Sequence, residues 1–183
     1  MLNEKSFVLL ILFLLINIPA FNQVEEWDDR ELTKHINEAD GYFIYDENYT
    51  TASEIYEQIL KHIPGDHNTS YKLGVCYLNM TGKKKKALEL LSYASENYVE
   101  DYKYTTLGSS APFDVLYYLA FASQVNMQLE KAIEYYKRYQ NLLRAREAGE
   151  IEYINLQIRA CRNALRSANT GNRLNKEMMI PSL

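Results

Sequence analysis

The chain has 183 residues, room for one domain of ordinary size. Its 20 basic residues are outnumbered by 24 acidic ones, and a net charge of −4 argues against a nucleic-acid or anionic-membrane surface. Hydrophobic content is an ordinary 47%, tyrosine is abundant at 16 residues, and Cys76 and Cys161 are the only cysteines.

The amino terminus reads "MLNEKSFVLLILFLLINIPAFNQVEEWDD". A short polar start holding Lys5 leads into an apolar run from Phe7 to Leu15, extending to Ile18 and followed by Pro19 and Ala20. A membrane-crossing helix needs about 20 residues, so this run fits the core of a secretory signal peptide. An N-terminal anchor is the alternative. The expected organisation is a signal peptide over 1–22, cut near Asn22, then a helical domain over 23–168 and a tail or linker over 169–183. After cleavage no transmembrane span is expected. Three N-x-Ser/Thr tripeptides begin at Asn48, Asn68 and Asn79 and matter only in a eukaryotic host.

Beyond the leader, the apolar periodicity predicts helices at about 29–46, 48–63, 68–80, 83–98, 112–126, 129–145 and 148–168. Asn68 suits an N-cap, and Pro112 suits a first helical turn. Cys76 and Cys161 fall on apolar faces of different helices, so two buried, unreactive thiols are expected. The lysines Lys83–Lys86 read as a solvated helix start. Val99–Pro112 is polar, with Tyr102 and Tyr104, and reads as a lid or connector, with a contact loop as the alternative.

Three segments align on an alanine that opens an amphipathic helix: "NYTTASEIYEQILKHIP", "GKKKKALELLSYASENY" and "MQLEKAIEYYKRYQNLL". Ala52 and Ala87 are 35 residues apart, and Ala87 and Ala132 are 45 apart. The first interval is close to the roughly 34-residue period of the tetratricopeptide repeat, and the second adds an insertion of about ten residues. In the second unit Leu73, Gly74, Tyr77, Ala87, Leu91 and Ala94 resemble the L-G-x-x-Y…A-x-x-x-F-x-x-A signature of that family. In the first, Phe43, Ala52, Tyr56 and Pro64 correspond, with Asp40 where a small residue is expected. In the third, Leu119 and Ala120 carry the L-G pair, Ala132 and Tyr136 follow, and Ser123 replaces the aromatic.

The resemblance covers about Thr33 to Leu143 and implies an all-α tetratricopeptide-repeat solenoid of about three antiparallel helix pairs, with the last helix as a C-terminal cap. A glycine inside a helix costs about 1 kcal/mol relative to alanine. Gly74 is therefore expected where the two helices of a pair come closest.

The order of features is also similar to the N-terminal module of Bacteroidota periplasmic proteins. In those, tetratricopeptide repeats precede a β-propeller of WD40/PD40 type and often an OmpA-like peptidoglycan-binding domain, and some members serve type IX secretion. The resemblance rests on "LKHIPGDHNTSYKLGVCYLN", on "APFDVLYYLAFASQVNMQLEKAIEYYKRYQNLL" and on the "CRNA" ending of the last helix. It implies a non-enzymatic scaffold, exported to the periplasm or outer membrane, that mediates protein–protein interaction through its concave face. The second reading is a truncated module of such a protein, structural and without binding of its own, because the tail "NKEMMIPSL" looks like the lead into a propeller.

No G-x-S-x-G, P-loop or H-E-x-x-H pattern occurs, and His35, His62 and His67 lack partners with metal-ligand spacing. The expectation is no enzyme, no cofactor, no metal, no nucleic acid and no small-molecule substrate, with a protein or peptide of the cell envelope as partner. By family analogy the groove-facing places are Lys34, Asn37 and Ile44, then Asn68, Tyr71, Val75 and Leu78, then Asp114, Tyr117, Phe121 and Gln124. Tyr71, Tyr117, Phe121, Asn68, Asn37 and Gln124 are the candidate binding residues; the alternative is that the groove-facing positions pack against a neighbouring helix or a following domain. Large rigid aromatics make good interface anchors.

Overall fold

The computed structural model describes residues 27–102, 108–144 and 147–178; the signal peptide expected over 1–22 lies outside them. Seven helices occur among the described residues: α1 Asp29–Ile44, α2 Tyr49–His62, α3 His67–Leu78, α4 Lys84–Ala94, α5 Val115–Val125, α6 Leu129–Leu142 and α7 Ala148–Met178. They pair as α1/α2, α3/α4 and α5/α6, with α7 laid against α6. No helix of the described residues is long and apolar enough to cross a membrane.

The repeated alanines explain the pairing. Ala52, Ala87 and Ala132 are all fully buried, as is Ala120, and the aromatics Tyr56 and Tyr136 close the space beside them. Gly74 is the tightest of these contacts. A Cβ built there would stand 2.7 Å from Leu91 Cγ and 3.0 Å from Leu91 Cδ2, so only hydrogen fits between α3 and α4. Gly82, at φ +76°, makes the turn between them.

Local chemistry sets the helix starts. Asp28 caps α1 in a reciprocal capping box with Glu31, and Asn48 accepts from the Thr51 N–H at the start of α2. For α3 the cap is Asp66, which accepts from the Thr69 N–H at 2.5 Å. The expected cap, Asn68, lies inside the first turn and is buried. Asp66 takes the position because Gly65, at φ +103°, turns the chain immediately before it.

Four other expectations are corrected. The fourth helix ends at Ala94 rather than near residue 98, and Tyr98–Val99 then forms a short parallel strand pair with Ala111–Pro112. Pro112 therefore belongs to that bridge, not to a helix. The neighbouring N–H groups of Ala111 and Phe113 donate to the carbonyls of Asn97 and Val99, so proline's missing donor costs nothing there. The last helix continues to Met178, ten residues past its expected end. The lysine run is only partly solvated: Lys83 lies over the Tyr77 ring, Lys84 bonds the Leu78 carbonyl, and Lys85 and Lys86 are exposed.

Asp40 has its own reason for being buried. Its carboxylate accepts from Lys72 Nζ at 2.7 and 2.9 Å and from the Tyr56 hydroxyl at 2.5 Å, which ties the first unit to the second. Both charged side chains are under 10% exposed. At the amino-terminal end, the Trp27 ring is stacked between His35 and His62, with centroids 4.1 and 3.8 Å away. Cys76 and Cys161 are free and buried, and burial pushes the Cys76 thiol up to about 12.

Candidate functional site: the side formed by the first helix of each pair

The side built from α1, α3 and α5 carries two neighbouring features. The first is a cavity of about 440 Å³ bounded by Leu32 and Ile36 of α1, the turn Ile63–Asp66, and Asn68, Thr69 and Lys72 of α3. Gly108 and Ser109 of the connector close it. The connector is pinned there by two bonds: the Asn68 N–H donates to the Ser109 carbonyl at 3.1 Å, and the Tyr102 hydroxyl donates to Asn68 Oδ1 at 3.0 Å. The first N–H groups of a helix have no partner within it, so α3 is a natural anchor for a returning chain.

The second feature is a run of tyrosine rings across α3, α5, α6 and α7. Tyr71 meets Tyr118 edge-on at 5.7 Å, and Tyr118 meets Tyr117 at 5.1 Å. Tyr117 in turn lies within 6.5 Å of the Tyr136, Tyr139 and Tyr153 rings. Edge-on and tilted rings at these distances add about 0.5–1.5 kcal/mol per pair beyond area burial. Burial raises the Tyr71, Tyr117 and Tyr118 hydroxyls above their ordinary value, so this is a neutral, hydrogen-bonding aromatic surface at any physiological pH.

The structure brings some of the candidate residues together and separates others. Tyr71 and Tyr117 are half-buried and joined through Tyr118. Asn68 is buried beneath the connector, and Asn37 is exposed on α1. Phe121 is partly buried and packs on the core. Gln124 accepts from the Tyr136 hydroxyl at 2.8 Å, which fixes α5 to α6. Among the other groove-facing places, Val75 and Leu78 are 4% exposed and belong to the core, whereas Lys34 and Ile44 are exposed.

Lys72, Tyr102 and Tyr118 complete this side; Tyr102 was noted in the connector, whereas Lys72 and Tyr118 were not singled out by the sequence. Tyr118 carries only the general signal of tyrosine abundance. Lys72 gives none, because its partner is on another helix. The histidines His62 and His67 go to different neighbours, Trp27 and Tyr93. Among the described residues no group of three or more His, Cys, Asp or Glu is placed to hold a metal ion.

At the far end of the tyrosine run, Tyr139 lies between two carboxyls, 3.1 Å from Asp114 Oδ1 and bonded to Glu150. One hydroxyl proton cannot serve both. Burial holds the Asp114 carboxyl above the usual carboxylate range, with the charges of Glu150 and Glu147 adding to it and the Tyr139 hydrogen bond opposing. A raised carboxyl favours its protonated form in the fold. Its stabilising contribution is complete below the ordinary carboxylate pKa and is lost as pH rises through the raised value. Asp114→Asn is therefore expected to be more stable than the wild type at neutral pH and to converge with it as pH falls below about 3.9. Thermal melts across that range check the sign, and parallel curves would assign the effect elsewhere.

No curated protein matches the chain. The tetratricopeptide repeat family model matches residues 69–100, which span α3, α4 and the first strand. Repeats of this family mediate protein–protein contacts and are generally not enzymes. The chain thus carries a tetratricopeptide repeat at its second helix pair, within an all-α solenoid of three pairs and a capping helix.

Proposed function

We propose that the protein is a non-enzymatic interaction scaffold of the cell envelope that receives a peptide or a partner's helix on the α1/α3/α5 side. The observation that carries this reading is the partly buried aromatic run from Tyr71 through Tyr118 to Tyr117, beside the cavity closed by the connector. Rigid aromatic area next to a polar-edged cavity is what a peptide groove offers. The matched repeat supports the class, and the apolar run Phe7–Leu15 supports export to the periplasm or outer membrane. The similarity to envelope modules that precede a β-propeller belongs to the same proposal.

Selection from a random peptide library against the folded domain supplies a ligand for the test. Tyr71→Ala and Tyr117→Ala should each weaken its binding by about 2 kcal/mol, roughly thirtyfold, while leaving the circular-dichroism spectrum nearly unchanged. If both variants instead lose the aromatic-to-alanine core penalty of about 3–5 kcal/mol in stability and bind as before, the tyrosines are packing residues and the site lies elsewhere.

A further inference from the structure

The second and third repeats differ at several places in their motif, and one of these, an aromatic replaced by a serine, borders a cavity. In the second repeat the position holds Tyr77, which is 4% exposed and hydrogen-bonds Glu57 of α2. In the third it holds Ser123. The alanine register places Ser92 of α4 where Glu57 stands one unit earlier. Between α4 and α6 there is a cavity of about 380 Å³, and both Ser92 and Ser123 line it. Leu88, Leu119, Tyr93 and Tyr135 supply its apolar lining. Ser123 is fully buried, and its Oγ is the one buried side-chain oxygen or nitrogen among the described residues without a hydrogen-bond partner. A buried hydroxyl left unmatched keeps the cost of its lost hydration, so a group that bonds it is favoured there.

We propose that this cavity is a binding site for a phenolic ring, as a tyrosine side chain of a partner polypeptide presents it. Tyr77 fills its own unit from the helix floor outward. A ring arriving from solvent enters the other way, hydroxyl first, and brings that hydroxyl to Ser123 Oγ while its faces meet Leu88, Leu119 and Tyr135. The site lies on the α4/α6 side and does not depend on the Tyr71–Tyr117 surface, so either proposal can fail alone.

The test uses the intact domain and two probes, p-cresol and N-acetyl-tyrosinamide, followed by NMR of the Leu88 and Leu119 methyl groups. Saturable shifts at about millimolar probe are expected, as befits ligands of so few atoms. N-acetyl-phenylalaninamide, which lacks the hydroxyl, should bind at least about fivefold more weakly. A tighter fit of the tyrosine amide than of p-cresol would assign the source to a polypeptide, and the reverse would assign it to a free phenol. Ser123→Tyr should fill the cavity and abolish the shifts, and Ser92→Glu/Ser123→Tyr, which copies the Glu57–Tyr77 pair, serves if the single variant folds poorly. Absent shifts in the wild type, or shifts that persist in a folded filled variant, would overturn the proposal, as would equal binding of the phenylalanine amide.

Discussion

Lys72→Met should lower the stability of the fold by about 3–5 kcal/mol, the usual consequence of stranding one partner of a buried ion pair. Asp40 would then lose its ammonium partner in a site that is 7% exposed, where the Tyr56 hydroxyl also donates to it. Converting both partners to apolar residues, Asp40→Leu with Lys72→Met, should recover most of the loss, since a well-packed apolar pair of similar volume is often no less stable than the ion pair it replaces. Adding Tyr56→Phe removes the hydroxyl that donates to Asp40 in the wild type. Urea denaturation of the two singles, the double and the triple gives the coupling directly. Additive losses in the double would mean that Asp40 and Lys72 act independently, contrary to their 2.7 Å contact.

Gly74→Leu is expected to overpack the α3/α4 contact, with a loss of about 1–3 kcal/mol or more. The more telling substitution is Gly74→Ala. In an exposed helix it would stabilise by about 1 kcal/mol. Here the added Cβ would stand 2.7 Å from Leu91 Cγ, a distance at which something must move, so the sign should reverse. In a Leu91→Ala background the collision is gone, and Gly74→Ala should become neutral or stabilising. Thermal unfolding of the four proteins decides it. A Gly74→Ala that stabilises the wild-type background would mean that α3 and α4 yield easily at their closest approach.

The solenoid was legible because its rules are local and repeated. The alanines at 52, 87 and 132 mark the same contact three times, and a helix pair is the simplest way to bury all three. What escaped was of three kinds. The Asp40–Lys72 pair joins residues 32 positions apart on different units, and no period in a single chain links them. The strand pair of Tyr98–Val99 and Ala111–Pro112 is two residues long, too short to show an alternation, and Pro112 fits a helix start equally well on sequence grounds. Asp66 and Asn68 are both competent caps, and only the turn at Gly65 selects between them. At the candidate surface, Tyr71 and Tyr117 were visible from repeat register, but Tyr118, the ring that connects them, was not. Its role depends on how α5 is rotated against α3, which helix periodicity fixes only to within a residue or so.

The connector gives the array a property that a plain stack of helix pairs lacks. In a stack, each unit holds only its neighbours, and opening can begin anywhere along it. Here the chain leaves α4, returns to bind the start of α3 through Tyr102 and Ser109, and then pairs Val99 with Pro112 before α5 begins. The second unit is thereby closed into a ring whose clasp is the approach to the third. Its first turn cannot open without releasing that approach. The middle of the molecule should therefore open as one cooperative block, which hydrogen exchange of the α3 and α5 amides checks.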